Sequence, residues 1–172
     1  MSPEAFHQKA FPEAGAELQT LWLTRGLREQ AEQVLNHSFA GLRVRYWASG
    51  QRTAWVFDEI GKEMPITIGV VVDNNLIRSV DILEFRESRG GEVRYPFFTR
   101  QFEKLGLVRT PAAYELSGNI DGITGATLSV RAVKKVATLA LLFHHQTPFT
   151  QSPGRADGKQ AGVVYADITK GH

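Results

Sequence analysis

The stretch with the most chemistry per residue is Asp121-Gly-Ile-Thr-Gly-Ala-Thr127-Leu-Ser129. An acid, two glycines and two threonines stand there immediately before the strongest helical pattern in the chain. After Thr127 the apolar residues Val133, Val136, Ala137, Ala140 and Phe143 recur at helical spacing, while Arg131, Lys134, Lys135 and Thr138 fall on another side. The spacing predicts a turn opening into a helix N-terminus, where unpaired backbone N–H groups and the positive end of the helix dipole favour an anion. Gly125 permits backbone angles closed to other residues and lets a ligand approach the main chain. Two readings follow from these residues alone. Either a phosphate is held at the Thr127 hydroxyl, or a glycine turn and a threonine cap begin a core helix. No Gly-Lys-Ser/Thr follows, so this is not a Walker loop, and the glycine spacing of a dinucleotide fingerprint is missing as well.

Asp121, Thr124, Gly125, Ala126 and Thr127 resemble the flavinylation motif Asp-x-x-(Ser/Thr)-Gly-Ala-Thr of the FMN-binding domain family. That family includes the C subunit of sodium-translocating NADH:quinone reductase and the G subunit of Rnf complexes. The resemblance implies that Thr127 carries FMN through a phosphoester bond made by a magnesium-dependent flavin transferase. Asp121, Gly122, Thr124, Gly125, Ala126, Leu128 and Ser129 would then form the cofactor-binding surroundings. Many members continue Ser-Gly-Ala-Thr-x-Thr-Ser. Here Thr124 replaces the Ser, Ser129 the second Thr, and Val130 the final Ser, departures that lie mostly beyond the acceptor. Glu87-Ser88-Arg89-Gly90 stands where other members carry Glu-Thr-Pro-Gly, a loop close to the flavin, so Glu87 and Arg89 join the candidate site.

The function this resemblance implies is an extracytoplasmic electron-transfer protein carrying covalent FMN. Its partners would be the transferase and membrane redox proteins, with no nucleic acid. The alternative is a regulatory or assembly module of the same fold with flavin absent or loosely held. A stand-alone flavoenzyme needs a general acid, for which Arg86, Arg89 and Tyr95 are available, but no constellation supports one and no catalytic residue is assigned. Of Arg86, Arg89 and Arg94, at least one is expected on the Thr127 side of the domain, where a guanidinium stabilises negative charge on ring or phosphate. The competing account gives the Glu84–Pro96 loop only solvated ion pairs, worth about 0.5 kcal/mol each.

These residues need a scaffold, and the rest of the sequence supplies one. From Leu42 the apolar period becomes two: Leu42–Trp47 alternates, Ser49-Gly50-Gln51 turns and Thr53–Phe57 returns. A second hairpin joins Ile66–Val72 to Leu76–Phe85 through Asp73-Asn74-Asn75, where asparagine tolerates left-handed angles. Two hairpins with flanking helices make an α+β fold with an antiparallel sheet in a single domain, placed at residues 17–146. Thr24 is the expected cap of a helix bearing Leu27, Ala31, Val34 and Leu35, with Leu21-Trp22-Leu23 buried ahead of it. A further helix is expected over about Phe97–Leu105, then a connecting segment with a short strand at Tyr114–Leu116. Residues 1–16 read as a loosely ordered lead-in and 147–172 as a flexible tail, with Gly162–Ile168 as an edge-strand candidate. Adjacent helical residues point about 100° apart. His144-His145 is therefore no chelating pair, and is read as favouring the helix C-terminus electrostatically.

Composition sets the outer limits. The chain has 172 residues, 42% of them apolar, and a net charge of +2, so it can bury a core without staples and lacks the charge of a nucleic-acid binder. With no cysteine there is no disulfide, thiolate nucleophile or cysteine-held metal. No run approaches the roughly 18 apolar residues of a membrane span, and the start lacks the pattern of a signal peptide. Relatives usually face the periplasm, so the chain reads as a mature or trimmed form from which a signal or anchor segment is absent.

Overall fold

A computed structural model describes residues 1–150. The edge-strand candidate at Gly162–Ile168 and most of the expected tail lie outside the described residues. Alternating sequence builds a five-stranded antiparallel sheet in chain order: β1 (Glu17–Trp22), β2 (Arg43–Ser49), β3 (Arg52–Ile60), β4 (Pro65–Asp73) and β5 (Leu76–Glu84). The two hairpins are those expected, and Asn74 and Asn75 take φ of 54° and 70° in the second turn. β1 extends the sheet by pairing with β2, Leu21 opposite Val44 and Trp22 opposite Arg43. Successive side chains alternate in facing, so Leu21 enters the core while Trp22 does not. Trp22 is 62% exposed, with the Arg43 guanidinium 5.9 Å from its ring centroid, which corrects the expectation of a buried Trp22.

One face of the sheet carries the main core. α2 (Arg25–Leu35) starts as expected, the Thr24 hydroxyl accepting from the Leu27 N–H at 3.1 Å. Leu27, Ala31 and Leu35 are buried, and Gln30 is buried with them. α4 (Thr127–His144) buries Val133, Val136, Ala137, Ala140 and Phe143 completely against the sheet and α2. Phe143 meets the rings of Trp55 and Phe57, and Trp55 stacks on Tyr46 at 4.4 Å.

The other face is covered in part by α1 (Pro3–Ala10), where the sequence suggested a loose lead-in. Ser2 caps it, its hydroxyl accepting from the Ala5 N–H, and Pro3 occupies the first turn. Phe6, Ala10 and Phe11 pack on Ala54, Val71 and Leu83. A Cβ on Gly69 would come within 2.6 Å of the Phe6 ring, so a glycine in mid-strand marks where this helix seats.

Beyond β5 the chain makes short 3-10 turns at Gly91–Arg94 and Arg100–Phe102 around a single-turn α3 (Pro96–Thr99). The expected helix to Leu105 therefore ends early, Lys104 already lying at φ 69°. β6 (Leu107–Arg109) pairs with β7 (Tyr114–Leu116), so the connecting segment holds a small second sheet of which only the later strand was expected. The result is one α+β domain. Among the described residues no helix is long and apolar enough to cross a membrane.

Candidate functional site

α4 begins differently from α1 and α2. Its cap position is Ala126, which has no side chain able to accept a hydrogen bond, and Thr127 is the first helical residue rather than the cap. The threonine-cap reading is thereby replaced. The first N–H groups of α4 lack a capping side chain, and the Thr127 side chain stands exposed beside them. The preceding turn closes through the Ala126 N–H to the Ile123 carbonyl at 2.9 Å, with Gly125 at φ 82°.

A second segment comes to this helix end. Gly90 has φ 85° and is packed so closely that a Cβ there would lie 2.7 Å from Ser129 Oγ and 3.6 Å from the Ala126 Cβ. A glycine is required on both counts, and it brings the Glu87–Gly90 loop against the first turn of α4. Between them lies a cleft of about 440 Å³, walled by Glu87, Ser88 and Arg89 on one side and by Gly125 to Ser129 on the other. Lys62 and Glu63, from the turn between β3 and β4, close one end. Neither was singled out from sequence, since nothing local ties that turn to residues more than sixty positions away.

Seven of the ten candidate residues therefore share one cleft: Glu87, Arg89, Gly125, Ala126, Thr127, Leu128 and Ser129. Glu87 has a clear positional task, its Oε2 accepting from the N–H groups of Lys62 at 2.6 Å and Glu63 at 2.8 Å. Ser129 is buried, whereas Leu128 presents apolar surface to the cleft. Asp121, Gly122 and Thr124 do not line it. The main chain of Asp121 is clasped by the Gln101 carboxamide, which accepts from its N–H at 2.7 Å, and the residue is exposed at the surface. Gly122 borders a second cleft on the opposite side of Thr127.

Of the three loop arginines, Arg89 shares the cleft with Thr127, as expected of at least one. Arg86 pairs with Glu84 and donates to the Pro65 carbonyl at 2.6 Å, and Arg94 donates to the Gly91 carbonyl with its guanidinium 5.5 Å from the Phe85 ring centroid. Those two brace the loop.

At the far end of α4 the histidines do not act as charges. His144 is fully buried. The Trp55 indole N–H donates to the Thr53 hydroxyl at 2.7 Å, and that hydroxyl meets His144 Nδ1 at 2.6 Å. Burial, reinforced by the neighbouring His145, pushes the His144 pKa down to about 3, against a weak opposing pull from Asp73. Burial lowers that of His145 too. Both are neutral near pH 7, which corrects the electrostatic role expected for them. Among the described residues no cluster of His, Asp or Glu has the make-up of a metal site.

Residues 61–142 match the family model described as an FMN-binding domain. The crystal structure of NqrC from Shewanella oneidensis superposes with a TM-score of 0.54 at 15% identity, covering 77% of this chain and 84% of that one. At such identity the likeness is one of fold. No curated protein matches the chain in sequence.

Proposed function

Because residues 61–142 place this chain in the FMN-binding domain family, we propose that it carries FMN as a phosphoester on Thr127 and serves as an electron carrier. The observation that supports this reading best is the start of α4: an exposed threonine at the first helical position, beside backbone N–H groups with no capping side chain, opening onto a cleft. Those N–H groups and the helix dipole would neutralise a phosphate ester at the Thr127 hydroxyl. The cleft between the Glu87–Gly90 loop and α4 would receive the planar ring, Gly90 keeping the loop close and Leu128 giving it an apolar surface. Arg89 is the guanidinium available to negative charge on ring or phosphate. FMN, when bound, supplies the capacity to exchange electrons one or two at a time, and the protein supplies position and electrostatics.

No residue pair in the cleft is arranged as a nucleophile with its base, so the carrier role is preferred to that of a complete enzyme. The partners are then a flavin transferase and redox proteins at a membrane, with the domain on the extracytoplasmic side. Asp121 fits recognition by the transferase. Its carboxylate is exposed and takes no part in the cleft, while the Gln101 clasp keeps its backbone fixed.

The test is co-expression with a flavin transferase followed by intact-mass measurement. The parent chain should gain one FMN adduct, Thr127→Ala none, and Asp121→Ala much less than the parent while melting at nearly the same temperature. A covalent adduct retained in Thr127→Ala removes the assignment. An unmodified, colourless parent in the presence of active transferase supports the regulatory module instead.

A further inference from the structure

The second cleft beside Thr127 has a character of its own. It lies on the other side of the α4 N-terminus from the Glu87–Gly90 loop, enclosed by α2, β7 and the outward side of α4, with a volume of about 690 Å³. Val34, Leu116, Ile120 and Val130 give it apolar surface, Ile120 and Val130 being 7% exposed. Along one edge α4 presents Arg131, Lys134 and Lys135. Lys135 reaches the buried Glu59 carboxylate at 3.9 Å, but Arg131 and Lys134 pair with no carboxylate among the described residues. A further cation, Arg109, lies 5.6 Å from the ring centroid of Tyr114, which forms part of the wall. Glu115 is the one acid among the lining residues.

An apolar patch in a mainly polar cleft, edged by two cations that pair with no carboxylate among the described residues, at a size within the usual range for small-molecule sites, defines a ligand class. The apolar part gains by leaving water and the anionic group by meeting two cations one helical turn apart. We infer that this cleft binds an organic anion with an apolar body, such as an aromatic carboxylate or sulfonate, independently of the flavin cleft. Inorganic anions would gain nothing from the apolar patch, and an extended acidic peptide would leave it unfilled. Thr127 borders both clefts, so a ligand here would sit next to the residue proposed to carry flavin.

The experiment is calorimetric titration of the full chain, unmodified and flavinylated, with naphthalene-2-sulfonate. Methanesulfonate and 2-naphthalenemethanol serve as the anionic and apolar halves of the probe, and hexaglutamate as an acidic peptide. The sulfonate should bind about tenfold or more tightly than either half, and added salt should weaken it. Arg131→Gln/Lys134→Gln should lose about tenfold in affinity, while Arg131→Lys/Lys134→Arg keeps it and so separates lost charge from lost fold. The flavinylated chain should still bind the probe. Equal binding of methanesulfonate, an unaffected double Gln variant, or stronger binding of hexaglutamate would each overturn the inference. Loss of binding on flavinylation would give the cleft to the flavin ring and overturn it too. Failure of Thr127 to take flavin at all would instead strike the proposed function and leave this test intact.

Discussion

The two ends of α4 are built on opposite plans. At the N-terminus Ala126 offers no capping side chain, Thr127 is exposed, and the first N–H groups look toward a cleft. At the C-terminus His144 is 0% exposed, its ring tied through Thr53 to the indole of Trp55. Helical propensity does not explain the contrast, because both ends belong to one continuous helix. Environment does. Donors open to water cost little while water satisfies them, and they remain available to a ligand, whereas a polar ring deep in the core depends on the partners it finds, and among the described residues His144 finds one at Nδ1 and none at Nε2. The ends of a helix can thus be assigned separate tasks, stability at one and recognition at the other.

Breaking each end separately sharpens this contrast. The largest functional effect belongs to Thr127→Ala, with complete loss of covalent flavin. Since the hydroxyl caps nothing and is exposed, stability should move by no more than about 0.5 kcal/mol in thermal denaturation. A larger loss would mean that the N-terminus is structural after all. The largest stability effect belongs to His144→Ala, which removes a buried ring and strands the Thr53 and Trp55 groups. About 3–4 kcal/mol should be lost in denaturant unfolding. Protein that remains folded should still accept flavin at Thr127. The same end should also be the acid-sensitive one. His144 has its pKa depressed to about 3, so its neutral form contributes fully above the unfolded value near 6.5 and that contribution falls as pH drops toward 3. Stability should fall with each pH unit through that window in the parent and much less in His144→Ala. Parallel pH profiles for the two proteins would contradict the assignment.

Gly90→Ala tests how the N-terminal end is kept open. A φ of 85° disfavours any side chain, and the added Cβ would meet Ser129 Oγ at 2.7 Å. The expected cost is about 1–2 kcal/mol, together with a looser cleft read as altered flavin fluorescence in the flavinylated variant. Unchanged stability with unchanged fluorescence would mean that the loop does not rest on α4.

Much of this was legible in the sequence because its signals are local. Period-two alternation marked both hairpins, Thr24 marked the start of α2, and the spacing after Thr127 marked α4. What escaped depends on distant partners. Trp22 looks like core until its place in the β1–β2 register turns it outward. Residues 1–16 look loose because they mix Pro, Ala, Gly and Glu, although Ser2-Pro3-Glu4 is a helix start and Gly69 marks the place where Phe6 lands. The site shows the same division. The motif and the Glu87–Gly90 loop are short words in sequence, but that Glu87 holds the Lys62–Glu63 turn, and that Gly90 touches Ser129, belong to tertiary packing. The histidine pair was misread for a related reason, since charge at a helix end presumes water and His144 has none.

The smallest effect concerns a histidine that titrates in the opposite sense to His144. His37 follows α2 and is half-exposed, with Nδ1 at 2.9 Å from the Ser38 carbonyl and Nε2 at 2.9 Å from the carboxylate of Glu59. Both nitrogens face acceptors, so the doubly protonated ring is favoured. The Ser38 bond and then the Glu59 bond raise its pKa, opposed by partial burial and by Lys135. The raised value makes its contribution fully present below about 6.5 and lost as pH rises through the folded-state pKa. Comparing melting temperatures of the parent and His37→Gln across this range should show the parent ahead on the acid side and the two converging toward alkaline pH. Solvent screening keeps the gap small. Glu59 is only 6% exposed and also meets Lys135, so it retains one cation when His37 loses its proton. A gap that instead widens with rising pH would show that His37 is held as the neutral ring, and would leave His144 and His37 alike rather than opposed.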